Sequence, residues 1–271
     1  MFDILQYPFM QRALLAGIVL AALLAWMGVF VIMKKMSFFS DGIAHASLAG
    51  IAAGVLAGIH PLTTALVFSV IFSVIIYALE KKTTLSSDAI IGILFTSGMA
   101  LGVVLISLKG GYQPDLVSFL FGNILAIRSS DLIIISFLSV LIGVFLTFNH
   151  KSITLMAFDV DTAYMAGIKV NLLQVTFYIM MAVSVVLGLK ILGIILVSAL
   201  IIIPASTAKL LSKSFKGLII QSIIFSEAIV LAGIALSYYL DSPTGPVIVL
   251  VGAGVFGGVI AYKQVVSRGG R

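Results

Sequence analysis

Asp41 and His45 stand four residues apart in the stretch Ser37-Phe38-Phe39-Ser40-Asp41-Gly42-Ile43-Ala44-His45, so a helix through them stacks a carboxylate and an imidazole on one face. If that helix reaches back to Ser37, the serine joins the same face, which Ala49 and Ala53 continue with small side chains. An oxygen donor and a nitrogen donor one turn apart suit a divalent ion such as Zn²⁺ or Mn²⁺, and a site with few protein ligands can release its ion. The competing reading makes Asp41 a helix cap and His45 a packed, hydrogen-bonded histidine. Spacing alone leaves both open. Glu227 is the second outlier, set in Ile-Ile-Phe-Ser-Glu-Ala-Ile-Val. A carboxylate at membrane depth is costly, which makes it a candidate ion ligand, proton carrier or partner of a buried lysine. A protonated, hydrogen-bonded carboxyl is the bland alternative.

The remaining polar positions have simpler readings. Asp88 and Asp131 each follow two serines and precede an apolar run, which is the pattern of a helix N-cap. His60 precedes Pro61 in a tight turn, and His150 adjoins Lys151 at a helix end. Pro204 kinks its helix, with Ser206 and Thr207 near enough to help satisfy freed backbone groups.

The elements that must hold these residues are membrane helices. Of 271 residues, 61% are hydrophobic and 10% charged, and the mean hydropathy is +1.25, which no water-soluble fold could cover. Apolar runs long enough to cross roughly 30 Å of hydrocarbon, at about 20 residues each, recur along the chain. They fall near 12–33, 42–59, 61–80, 89–108, 131–149, 172–189, 192–211, 217–240 and 245–263. The fold class is therefore all-α: a polytopic transmembrane helical bundle of about 8 or 9 spans, forming a single domain over 1–271. Leu116 to Ile127 is apolar but too short to cross and is broken by Gly122-Asn123, which predicts a short re-entrant segment. The first run is too long for a signal peptide and has only Arg12 before it on the basic side.

Lys34-Lys35, Lys81-Lys82, Lys151 with Lys169, Lys209 with Lys213 and Lys216, and Lys263 with Arg268 and Arg271 fall on one side of these spans. That side is the cytoplasm by the positive-inside rule, although Lys109, Arg128 and Lys190 break the pattern. The same rule accounts for the net charge of +6 without nucleic acid as a partner. Gly50, Gly54 and Gly58 recur every fourth residue, a small-residue stripe that lets neighbouring helices approach and places the second helix inside the bundle. Cysteine is absent, so a metal here meets imidazole, carboxylate, water or thioether. No G-x-x-x-x-G-K-[ST] phosphate loop and no H-E-x-x-H occurs, and Thr96-Ser97-Gly98 lacks the preceding glycine of G-x-S-G serine proteases. No catalytic residue is assigned, and an intramembrane enzyme is a poor reading of the chain.

The stretch from Met36 to Ala46 resembles the S-x-x-G-D-x-x-x-H-[AS] segment of the zinc/manganese/iron ABC permeases, with Ser40 where that family usually has glycine. Leu120-Phe121-Gly122-Asn123, Gly193 to Ala205 and Asp241-Ser242-Pro243-Thr244-Gly245-Pro246 extend the likeness in family order over nearly the whole chain, which looks most like zinc-uptake permeases. The resemblance implies a homodimer in the bacterial cytoplasmic membrane, cytoplasmic ATPase subunits that hold the ATP, and an extracytoplasmic metal-binding protein. The zinc or manganese ion is cargo, with no cofactor bound permanently. It also implies that Asp41 and His45 lie on the metal path, and that Asp159, Ala163 and Gly167, within Ala157 to Ile168, belong to the segment that docks on the ATPase. Glu227 has no motif to support it beyond its cost in the membrane. The alternatives are a permease for a chelated metal, which would need a wider path, and a proton-coupled secondary transporter built on Glu227.

Overall fold

The computed structural model describes residues 8–108 and 128–269. The stretch from Leu116 to Ile127, with its Leu120–Asn123 motif, lies outside them, as do Lys109 and the Gly110–Asp115 loop. Among the described residues every regular element is a helix: α1 (Pro8–Met33), α2 (Phe39–Ala57), α3 (Pro61–Lys82), α4 (Ser87–Ser107), α5 (Ser129–Phe158), α6 (Val160–Met165), α7 (Val170–Leu211), α8 (Phe215–Leu240) and α9 (Thr244–Gly269). All but α6 are long and apolar enough to cross a membrane, giving 8 spanning candidates. At 42 residues, α7 would run about 63 Å if straight, some twice the hydrocarbon thickness. Gly193 interrupts it with φ 79° and ψ 166°, a backbone state open to glycine because it has no Cβ. The runs expected at 172–189 and 192–211 are the two helices that meet at this Gly193 kink.

Helix ends follow local chemistry, and several differ from expectation. The backbone at Lys35 is left-handed, φ 55°, and α2 starts only at Phe39, with Phe38 as an N-cap that makes no side-chain bond. Ser37 thus precedes the helix and does not share the face of Asp41, and Asp41 sits within the first turn instead of capping it. At α4 the cap is Ser86, whose hydroxyl accepts from the Ala89 N–H at 3.3 Å, not Asp88. Asp131 accepts from the Arg128 N–H at 3.2 Å, which is one half of a capping box. α5 overruns its expected end at 149 because nothing from His150 to Phe158 breaks a helix, and the Thr154 hydroxyl is absorbed by the His150 carbonyl at 2.6 Å.

The described residues group into two compact units. One holds the described parts of Met1–Ile32, Phe121–Val140 and Ile191–Arg271, and the other those of Met33–Leu120 and Leu141–Lys190. In the first, Ser222 and Ser226 of α8 donate to the Ala25 and Ala21 carbonyls of α1, each at 3.0 Å. In the second, α2 is flanked by α3 and α4. A Cβ on Gly50 would lie 2.8 Å from both the Thr64 carbonyl and the Phe68 Cβ, and one on Gly54 would collide with the Thr64 hydroxyl. Gly58 does not continue this stripe: it follows the helix end, its left-handed φ of 69° closes the C-cap, and nothing lies within 4 Å of the place its Cβ would occupy.

Gly50→Leu should therefore destabilise the protein by about 1–3 kcal/mol, the usual cost of overpacking. Gly92→Ala, on a helix face with nothing within 4 Å of the added carbon, should be neutral or raise stability by up to about 1 kcal/mol. Thermal midpoints of the detergent-solubilised variants check this; equal midpoints would mean that α3 does not pack on Gly50.

Candidate functional site

Asp41 and His45 occupy successive turns on one face of α2, each half-buried. A carboxylate in the first turn also meets the positive end of the helix dipole. The approach of α4 removes solvent from this region: Cβ atoms on Gly98 and Gly102 would lie 3.2 Å from the Ala46 Cα and the Ala49 nitrogen, and one on Gly42 would lie 2.7 Å from Ile91. The His45 ring meets Phe95 edge-on, centroids 4.6 Å apart and planes at 86°. Its Nδ1 is buried without a hydrogen-bond partner, as is the Ser40 hydroxyl. The packed histidine is present, but the hydrogen bond that a purely structural histidine needs at Nδ1 is not. A desolvated imidazole nitrogen costs about 1–3 kcal/mol if nothing binds it, and a divalent cation is a ligand that would bind it.

Glu227 lies on α8, next to the Ser226 that grips α1, and its Oε1 is likewise buried without a partner. It belongs to the first unit, whereas Asp41 and His45 belong to the second. Among the described residues no three His, Cys, Asp or Glu side chains form a cage for a metal ion. The structure thus brings Asp41 and His45 onto one face of α2.

Within Ala157 to Ile168, the short capped helix α6 lies between α5 and α7. Asp159 is its N-cap: Oδ1 accepts from the N–H groups of Asp161 and Thr162 at 3.0 and 3.3 Å, and the Thr162 hydroxyl donates to Oδ2 at 2.5 Å. The bonds from Thr162 hold this exposed carboxyl below its usual pKa. Ala163 is fully buried, and its carbonyl accepts from the Ile168 N–H at 3.1 Å, closing the helix over Gly167, whose φ is 77°.

Sequence reasoning missed a polar cluster in the same unit, built from Lys34, Glu80, Gln174 and Tyr178. The Tyr178 hydroxyl donates to the Glu80 Oε2 at 2.7 Å, and Gln174 donates to the same oxygen at 3.1 Å. The Tyr178 oxygen accepts from Gln174 and from the Lys34 amine, both at 3.2 Å, and the amine lies 4.9 Å from the centre of the Tyr178 ring. Burial lowers the Lys34 amine to about 8, against the opposing pull of Glu80. The signal was Gln174 and Tyr178, polar groups four residues apart in an apolar run.

Long apolar helices packed through glycine make the chain a polytopic membrane protein. The chain belongs to the ABC 3 transport family, whose sequence profile matches residues 6–263. It is 32% identical over 94% of its length to the high-affinity zinc uptake system membrane protein ZnuB of Haemophilus influenzae, covering 96% of that protein. It is 31% identical over 93% of its length to the manganese transport system membrane protein MntC of Listeria monocytogenes, covering 90% of it. A chain of the solved PsaBC from Streptococcus pneumoniae in complex with Fab superposes with a TM-score of 0.82 at 31% identity, covering 95% of this chain and 93% of that one. The chain is a metal ABC transporter permease and a multi-pass membrane protein.

The lowered Lys34 fixes a pH dependence. Above pH 8 the folded protein sheds a proton that the unfolded chain keeps until near 10.5, so stability rises with pH across that window. The wild-type thermal midpoint should gain on that of Lys34→Met between pH 7.5 and 9.5. A difference between the two proteins that stays constant over this range would show that the amine is not desolvated.

Proposed function

We propose that this chain forms the ion path of an ATP-driven importer that carries a bare divalent transition metal, zinc first, into the bacterial cytoplasm. The observation that carries the reading is the Asp41–His45 pair on buried α2, with a desolvated, unpartnered imidazole nitrogen in a chain whose relatives are named for zinc and manganese transport. Two protein ligands bind an ion loosely enough to pass it on, and the narrow spacing suits an ion more than a bulky chelate. A second copy of the chain lines the path from the other side, an extracytoplasmic metal-binding protein delivers the ion, and a cytoplasmic ATPase binds and hydrolyses ATP. The permease alternates between outward- and inward-open states as the ATPase cycles. Glu227, in the first unit, is proposed as an ion ligand in its own right, because its buried carboxylate oxygen lacks a partner.

The turn around Ala163 is proposed as the docking element. Gly167 has open space around it, so Gly167→Val strains the backbone without a clash: φ is 77°, and a β-branched residue there costs about 1–3 kcal/mol. The variant should insert normally but lose ATPase assembly or stimulation, read by co-purification and by phosphate release. Normal stimulation would remove this turn from the mechanism.

Uptake of radioactive zinc by vesicles carrying the whole complex, normalised to folded permease, tests the ion path. Asp41→Ala and His45→Ala should each lower uptake by about tenfold or more, the loss expected when a ligand worth over 1.4 kcal/mol is removed. Near-normal uptake in both, or wild-type uptake that persists without the ATPase and collapses with the proton gradient, would overturn the proposal. Competition by manganese and iron ranks the metals.

A further inference from the structure

The cluster around Tyr178 is one link in a longer run of side chains within the second unit. Asn171, Gln174 and Tyr178 lie on one face of the first three turns of α7. At its outer end, the Asn171 Oδ1 accepts from the Tyr164 hydroxyl of α6 at 2.5 Å and also from the Lys81 amine at the end of α3. Lys81 adjoins Glu80, which takes the Tyr178 hydroxyl. At its inner end, Tyr178 meets the Met36 sulfur at 3.2 Å and the Phe39 ring at 5.3 Å between centroids. Phe39 opens the turn of α2 that carries Asp41.

We propose that Tyr164, Asn171, Lys81, Glu80 and Tyr178 are positioning residues that relay movement of the coupling turn to the first turn of α2, and so to the proposed ion ligands. Met36, Phe39 and Tyr178 are all fully buried, and a close-packed contact of that kind passes a displacement on instead of absorbing it. The polar links have the opposite character. The Tyr178 hydroxyl has one proton and two acceptors in reach, Glu80 and Met36, while its oxygen takes Lys34 and Gln174. Glu80 keeps Oε1 buried and unpartnered. A static staple would be served as well or better by apolar side chains, since buried charges repay their desolvation poorly. Spare donors and acceptors let the cluster exchange partners between two arrangements, which a transmitting element needs.

The inference rests on the proposed ATP-driven function, so the test uses the whole complex in proteoliposomes and begins with wild-type zinc uptake. Absence of ATP-dependent uptake there refutes the function itself. With uptake established, ions imported per ATP hydrolysed is the readout. Tyr178→Phe keeps the ring against Phe39, and Asn171→Ala cuts the relay at an exposed position where folding is not at risk. Both should keep ATP hydrolysis within about twofold and lower ions per ATP by about fivefold or more, the lower end of common coupling energies. Asn171→Asp, which retains the acceptor oxygen for Tyr164 and Lys81, should keep at least about half of the wild-type ratio. A wild-type ratio in Asn171→Ala overturns the relay, as does equal loss in Asn171→Ala and Asn171→Asp. A Tyr178→Phe complex with a lower melting point but unchanged ions per ATP also overturns it, leaving a structural clamp.

Discussion

Close backbone approach of α3 and α4 to α2 is the contact on which the second unit depends. Inside hydrocarbon, helices gain little from hiding apolar side chains, because lipid is as apolar as leucine. Association then rests on tight van der Waals contact, and here glycines provide it from both sides. Gly50 and Gly54 admit α3, and Gly98 and Gly102 of α4 admit the backbone around Ala46 and Ala49. The same contacts strip water from the turns that carry Asp41 and His45. Packing and ion chemistry are thus one arrangement: the low dielectric that makes an unpartnered imidazole costly is what would strengthen its attraction for a cation.

The distribution of buried unpaired atoms carries that argument further. Among the described residues, Ser40, His45, Glu80 and Asp88 of the second unit and Trp26 and Glu227 of the first have such atoms. Ser40 and His45 flank the turn of Asp41, and Asp88 opens the helix that packs on it. Each unsatisfied group costs about 1–3 kcal/mol, so a fold selected only for stability would have paired or replaced them. The three near the start of α2, Ser40, His45 and Asp88, fit a surface built to meet something that comes and goes.

Much of this was legible in the sequence, and for a clear reason. A charge in a long apolar run is conspicuous, so Asp41, His45 and Glu227 stand out, and the membrane class follows from run length alone. Helix ends were harder. Ser37 and Gly58 were expected to extend the two faces of α2, but the left-handed Lys35 delays the start of the helix and Gly58 itself ends it. At α4, two serines and an aspartate all had N-cap chemistry, and Ser86 took the role from Asp88. Periodicity marks the face of a helix well and its first residue poorly.

The cluster of Lys34, Glu80 and Tyr178 escaped notice for a different reason. Charges at span ends are ordinary there, since the interface solvates them and the positive-inside rule expects lysine. Only three-dimensional contact distinguishes a lysine in lipid headgroups from one whose amine lies 3.2 Å from a buried tyrosine oxygen. The partners are separated by 144 residues for Lys34–Tyr178 and 98 for Tyr178–Glu80, beyond any local pattern. The Asp41–His45 pair shows in sequence because one helical turn makes it. The contacts from Tyr164 through Asn171 and Tyr178 to Phe39 join segments far apart in the chain, and only the fold brings those segments together.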